Sequence, residues 1–361
     1  MSPSLPQLLK TVVDHNASDL HIAAGAPPHI RIDGALIRLK TPPLSSEDTL
    51  ALCTSLLDDK QRAQLEQRRS LRLAIDFPLH DRFRVQMYFC ANGLGGAFRL
   101  VPGKIRGVEQ LGLPPIVGEL CARRRGLILV AGPAGAGVST TLAAMLDKIN
   151  TDTRGVIHTY EDPIEHLHAH RGCVVAQREG GRHASSPQHW YADALHSDAD
   201  VVMLGPVDEH AKLSSALALA ESGRMVLATV RARSTVRALE LLTELPSIER
   251  TESLRARLAA SLEAVIAQAL VPRVGGGRAV AVETLLVDAS ARAILRSTSS
   301  LLPLRALIAR APSAAGVATL EQSLAGLVTR RLVAAESALA AASDTDDLRA
   351  LVSAGATSQR A

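Results

Sequence analysis

The sequence predicts an α/β protein in which a P-loop nucleotide-binding domain on a parallel sheet follows a smaller N-terminal α+β domain. Three observations carry that prediction. Five apolar residues, Leu127 to Ala131, read as a buried strand that runs into a loop with Gly132, Gly135 and Gly137 and then into a helix whose Leu142, Met145, Leu146 and Ile149 recur at three and four. Beyond it, strand-like runs at 156–160, 200–205 and 225–230 alternate with helical stretches such as Leu213 to Ser222, the rhythm of βαβ units. Before residue 101, short strands and helices mix without that rhythm.

Bulk composition limits what this chain does. At 361 residues it exceeds one ordinary core, so two or three domains are expected. A hydrophobic share of 47% with 21% charged residues is that of a folded chain. Aromatics reach only 2%, too few for the stacking platforms of single-strand binders. The net charge of +4 is spread through the chain apart from Arg123 to Arg125 and reads as a solvated surface, so no nucleic-acid partner is expected. Cys53, Cys90, Cys121 and Cys173 stand far apart without metal or disulfide spacing, which suits a reducing compartment. No basic, apolar leader opens the chain and no run is long enough to span a membrane, so a cytoplasmic protein is expected, with any membrane role exerted through partners.

In chain order, Leu5 to Val13 reads as a helix, Ser18 to Ala23 as a sheet edge, and Ile30 to Asp33 as an alternating strand closed by Gly34. Ser46 to Leu57 has helical spacing behind a serine cap. Strands follow at 71–77 and 82–89, then a glycine-rich turn at Gly93 to Gly96 and a strand to Val101. Strand alternation places Arg82 and Arg84 on one face. With Arg99 they form either a solvated basic surface or a set of arginines that reaches a neighbouring subunit's phosphates. Residues 102–125, punctuated by Gly103, Gly107, Gly112, Pro114 and Pro115, read as a linker and hinge.

The glycine loop allows positive φ and close backbone approach, so that amides and the helix dipole converge on one anion. Measured against G-x-x-x-x-G-K-[ST], Gly132 and Gly137 fit, and Ser139 stands where a Mg²⁺-binding hydroxyl belongs. With Gly135 and Thr140 these are the candidate nucleotide-binding residues. The motif's lysine is missing: position 138 is Val. Glu161 and Glu165, after the strand at 156–160, lie where a parallel sheet binds nucleotide, as turn formers or as groups that orient Mg²⁺ or water. The strand at 200–205 ends not in an acid but in Pro206, with Asp208 and Glu209 two and three residues beyond. Arg231 and Arg233 close the strand at 225–230. Lys148, ten residues along the helix from position 138, stands about 15 Å away, too far to replace the lysine. His166, His168 and His170 alternate in a segment rich in histidine and read as a surface cluster, with no structural metal expected.

Glu252 to Leu270 has helical spacing, with Leu254, Leu258, Leu262, Val265, Ile266 and Ala269 apolar. Gly275 to Gly277 turn the chain into a strand at 279–287, Leu320 to Leu332 reads as a packing helix, and the Ala- and Ser-rich stretch from 341 to 361 as a disordered tail or frayed helix.

As a whole, the chain resembles the PilT-type type IV pilus retraction ATPases, relatives of the type II secretion ATPases. Ser18-Asp-Leu-His-Ile22 and Pro27-Pro-His-Ile-Arg-Ile-Asp-Gly34 resemble that family's opening sheet, and Phe83-Arg-Val85 and Phe98-Arg99 its next strands. Arg125-Gly-Leu-Ile-Leu-Val130 and Ser139 to Asp147 resemble its P-loop surroundings. Glu161-Asp-Pro-Ile-Glu165 with His168 resembles its Asp box, and Ala291 to Arg296 its short helix linked to retraction. The resemblance implies a PAS-like domain over 1–101, a linker over 102–125, a RecA-like ATPase domain with a helical C-terminal part over 126–340 and a tail over 341–361. It also implies ATP and Mg²⁺ as ligands and a six-membered ring at the cytoplasmic base of a type IV pilus, against an inner-membrane platform protein. Retained Glu161 and Glu165 would be catalytic, and Arg82, Arg84 and Arg99 would act between subunits.

The departures fall on the chemistry. Val138 replaces the family's lysine, Pro206 its Walker B glutamate, Arg224 and Arg231 its two histidines, Asn92 one arginine, and His196 to Asp200 its acidic run before Walker B. Losing the lysine removes a charge-assisted bond of about 1.5–3 kcal/mol, or roughly 10- to 100-fold in affinity. Removing an electrostatic stabiliser or a water-positioning group costs on the order of 100-fold or more in turnover. A catalytically impaired subunit, in a ring of its own kind or with an intact motor, is the leading expectation. The alternatives are a working ATPase whose substitute cation is Arg231 or Arg233, with Asp208 or Glu209 in place of the lost acid, and a scaffold that binds no nucleotide.

Overall fold

The computed structural model describes residues 3–32, 34–77, 82–101, 103–246, 250–297, 300–311 and 316–358; the features expected at Asp33, Pro102 and 359–361 lie outside them. The chain forms two units: residues up to Lys104 together with Asp162–Leu167, and Ile105–Glu161 together with His168 onwards.

The first unit is a six-stranded antiparallel sheet in the order β3-β2-β1-β6-β5-β4, from β1 (Asp19–Ile22), β2 (His29–Ile32), β3 (Ala35–Arg38), β4 (Ser70–Asp76), β5 (Arg82–Cys90) and β6 (Gly93–Val101). Helices α1 (Leu5–Asp14), α2 (Ser46–Thr54) and α3 (Asp59–Arg68) complete it. Leu5, Leu8, Leu9 and Val12 of α1 join Phe83, Val85, Met87 and Phe98 in one core. The odd-numbered residues of β5 point inward, so Arg82 and Arg84 share the opposite face. Ser45 caps α2 by accepting from the Asp48 amide. The glycine-rich stretch at 93–96 is part of β6, not a turn. A Cβ on Gly96 would stand 2.9 Å from the Phe98 ring and 3.2 Å from Cys53 Sγ, so the missing side chain lets α2 settle on the strand.

The second unit carries a seven-stranded sheet in the order β13-β12-β7-β11-β10-β8-β9. Its strands are β7 (Gly126–Ala131), β8 (Gly155–Glu161), β9 (Cys173–Glu179), β10 (Val201–Pro206), β11 (Met225–Val230), β12 (Leu262–Pro272) and β13 (Arg278–Leu286). All pairings are parallel except that of the edge strand β13. Apolar clusters cover both faces, which is why every residue of β7 is buried and apolar or Gly. Between β7 and β8 runs α5 (Val138–Asp152), on the face with α4 (Pro115–Leu120). The other face holds α6 (Pro187–His196), α7 (His210–Glu221), α8 (Thr235–Thr243), α9 (Thr251–Ser261), α10 (Ala289–Arg296) and α11 (Pro303–Arg310). From the end of β7 the chain crosses to β8 on one side while β12 lies on the other, so the glycine loop sits at a topological switch point.

Three stretches depart from the sequence reading. Most of 102–125 is not a linker: Val108, Leu113, Val117 and Leu120 are buried in the second unit's core, and the proline pair starts α4. The expected helix over 252–270 stops at Ser261, and β12 takes the rest. Its backbone is hydrogen-bonded to β7 on one side and β13 on the other, a tertiary ladder that local periodicity cannot reveal. The stretch from 341 holds the end of α13 (Ala335–Ala341) and then α14 (Thr345–Ser358), against α12 (Leu320–Thr329). Leu348 is 1% exposed there, and buried Glu321 accepts from the Ser343 and Asp344 amides at 3.1 and 3.0 Å, which fixes the turn between α13 and α14.

Candidate nucleotide-binding site

The glycine loop leaves β7 beside β11, with the Gly132 amide donating to the Val230 carbonyl at 3.2 Å. Gly135 and Gly137 stand at φ 81° and 84°, in the left-handed region, and Gly137 is the N-cap of α5. A Cβ on Gly132 would come within 2.8 Å of the side chains of both Val138 and Ala136, so the loop closes only around glycine. The α5 N-terminus has neither a side-chain cap nor an acid in its first turn. Its first amides and the positive end of its dipole are therefore left for an anion. Ser139 is exposed there and Thr140 half-buried, as a site for phosphate and its Mg²⁺ requires.

Val138 turns away from this role. It packs on the apolar cluster of Ile128, Val130 and Leu142 beneath the loop, with a methyl against Gly132. A residue that the sequence reading missed holds the loop from the next strand. Gln268 of β12, 2% exposed, donates to the Ala136 carbonyl at 2.6 Å and accepts from the Thr141 hydroxyl at 2.8 Å. Its signal was present, a lone amide inside the apolar run from Ala264 to Val271, but it was hidden by the helix reading.

The candidate carboxylates separate. Glu161 ends β8 and accepts from Thr159 Oγ1 at 2.8 Å and Gln177 Nε2 at 3.1 Å. Three strand spacings, about 14 Å, lie between β8 and β7, so Glu161 faces the far part of the crevice. Glu165 belongs to the first unit, where Arg84 Nη1 donates to it at 2.7 Å. Arg82 lies 3.1 Å from Asp76, and Arg99 donates to Asp19 at 2.9 Å. Each of the three arginines thus holds a carboxylate of its own unit, which offsets the repulsion between Arg84 and Arg99, paired across β5 and β6.

β10 ends at Pro206 with an irregular register after Leu204. Asp208 is ion-paired with Lys212 at 2.6 Å and Glu209 is the N-cap of α7. Lys148 is paired with Asp152 at 2.8 Å. Arg231 and Arg233 are exposed at the end of β11, and since Val230 pairs with Ala131, Arg231 flanks the start of the glycine loop. Arg224, by contrast, precedes β11 at the opposite edge of the sheet and donates to the Leu195 and Ser197 carbonyls at 3.0 Å. Two of the histidines serve the backbone: His170 accepts from the Val175 amide and His183 from the Glu179 amide, both at 3.0 Å. Among the described residues no group of three or more His, Cys, Asp or Glu is arranged to hold a metal. Arg292 of α10 pairs with Glu263 at 2.9 Å, while Arg296 is exposed.

The profile of the type II/IV secretion system protein family matches residues 1–300. The chain belongs to that family. Within it, the chain is 34% identical to the type IV pilus retraction ATPase PilT of Pseudomonas aeruginosa, over 92% of this chain and 96% of that protein. It is also 34% identical to the type IV pilus ATPase PilU of the same organism, over 98% and 92%. A crystal structure of the pilus retraction motor PilT with bound ADP superposes with a TM-score of 0.84 at 33% identity, covering 97% of this chain and all of that one. These matches place the chain among the pilus retraction ATPases and bear out the expected architecture, an N-terminal domain followed by a RecA-like ATPase domain. No described helix is long and apolar enough to cross a membrane.

Proposed function

We propose that this chain is a catalytically impaired member of the retraction motor family that acts as a regulatory or accessory ring subunit at the base of a type IV pilus. The kinship with PilT and PilU supports the pilus role. One observation carries the impairment: at the two positions that correspond to the family's lysine and Walker B glutamate the chain presents a half-buried valine packed against an apolar cluster and a proline closing β10. No charge is left there to neutralise a transition state or to orient water. The retained loop, Ser139 and Thr140 still suit a nucleotide, with the Ser139 hydroxyl offered to its Mg²⁺ and phosphate oxygens supplying other ligands. The subunit joins a hexamer, of its own kind or with an intact motor, on the cytoplasmic side of the inner membrane against the pilus platform protein. Arg84 and Arg99, still 40% and 55% exposed in their side chains, are the cations available to a neighbour.

Steady-state ATP hydrolysis by the purified chain with Mg²⁺ tests this. Turnover far below about 1 s⁻¹ is expected, and a value near or above it, that of a slow but ordinary enzyme, refutes the impairment. A second reading, a divergent but active ATPase, is favoured by the place of exposed Arg231 beside the glycine loop. In that case Arg231→Ala abolishes the turnover.

A further inference from the structure

The two halves of the P-loop motif have parted in this chain. The backbone half is built and braced. Gln268 ties the end of the glycine loop to the first turn of α5 through Ala136 O and Thr141 Oγ1, and its Nε2 stands 3.3 Å from where a Cβ on Gly137 would be. A side chain 2% exposed, bonded at both polar atoms, holds the amides in position before any anion arrives, so binding need not order them. The cationic half is missing. Val138 is half-buried against the apolar cluster, β10 ends in Pro206, and Asp208 and Lys212 are ion-paired with each other.

In a P-loop the backbone amides cradle the α- and β-phosphates, whereas the lysine reaches the β- and γ-phosphates. A nucleoside diphosphate places its terminal, more highly charged phosphate in the amide cradle at the α5 N-terminus, where a helix dipole rewards charge most. A triphosphate places its more weakly charged internal phosphate there and carries the γ-phosphate to where the motif's lysine is replaced by Val138.

We infer that this site selects a nucleoside diphosphate over the triphosphate, and that Gln268 is the positioning residue that keeps the diphosphate cradle formed. The inference rests on the reading of the glycine loop as a nucleotide site in an impaired subunit, and it gives that subunit a definite state. It stays loaded with the product form of the nucleotide instead of cycling.

The test is equilibrium titration of the full chain with Mg²⁺ and ADP, a non-hydrolysable β,γ-imido ATP analogue, or AMP, at a temperature where every variant is folded. ADP is expected to bind several-fold more tightly than the triphosphate analogue, and AMP at least tenfold more weakly than ADP. Val138→Lys should improve the analogue roughly 10- to 100-fold and reverse the order. Gln268→Leu should weaken ADP at least tenfold; Thr141→Val should weaken it too, while Thr141→Ser, which keeps the hydroxyl, retains wild-type affinity. That rescue separates positioning from a general loss of stability, which the unliganded melting temperature reports. Equal or tighter binding of the analogue by the wild type overturns the inference, and tenfold tighter binding points to Arg231 as a cation. Absence of ADP binding, or unchanged ADP affinity in Gln268→Leu, overturns it as well. Failure of the underlying reading shows elsewhere, as ATP turnover near 1 s⁻¹ in the same preparation whatever the order of affinities.

Discussion

Glu283 offers the sharpest structural test. This carboxylate of β13 is 5% exposed and accepts from the amide and the hydroxyl of Thr235, both at 2.7 Å. Thr235 opens α8, directly after the loop that carries Arg231 and Arg233, so one buried acid fixes both the helix start and the loop beside the nucleotide site. Glu283→Ala leaves two buried donors unpaired, at about 1–3 kcal/mol each, and removes a charge from a helix N-terminus, about 0.3–2 kcal/mol. Partial relaxation and water entry bring the expected loss to about 2–5 kcal/mol, a large share of a domain's stability of about 5–15 kcal/mol. Glu283→Gln keeps an acceptor oxygen and should lose about half as much. Thr235→Val removes only the hydroxyl, and combined with Glu283→Ala it should cost less than the sum of the two, since the partners share one contact. Urea unfolding of the full chain, monitored by the single Trp190, gives these values. A loss below about 1 kcal/mol in Glu283→Ala, with full additivity in the double variant, refutes the reasoning.

Two further outcomes follow from packing and charge. Leu348→Ala should cost about 2–4 kcal/mol and open the segment after Ala342 to protease, because the side chain is 1% exposed; a loosely attached tail would show neither effect. His158 is held below its ordinary pKa by burial first, then by the positive charges of Arg178 and Arg224, while burial also lowers His21 and His166. The unfolded chain therefore takes up these protons first. The stability gained by keeping the rings neutral is present above the unfolded pKa of about 6.5 and is lost as pH falls towards the lower folded values. The urea midpoint should fall between pH 7.5 and 5.5, and His158→Gln should flatten that fall; an unchanged pH profile in the variant excludes His158 as a contributor.

Much of the chemistry was legible without coordinates because it is local. Strand, glycine loop and helix follow one another within twenty residues, so the sequence alone showed a P-loop pattern with Val138 at its lysine position, whereas the reading of Pro206 in place of a Walker B acid came from the family resemblance. The βαβ rhythm determined the parallel sheet, and the serine before Ser46 the cap of α2. Only tertiary structure decided what depends on distant partners. Residues 262–270 have helical spacing, yet two flanking strands supply ladder bonds that an isolated helix could not match, and that choice put Gln268 under the glycine loop. Residues 102–125 read as a linker until the core that buries Val117 and Leu120 is present. Glu161 and Glu165 are neighbours in the chain but anchored in different units, Glu165 by an arginine 81 residues away. Periodicity and turn residues report what a segment can do alone. Pairing, burial and side-chain bridges across more than a hundred residues decide what it does, because their free energy exceeds local preference.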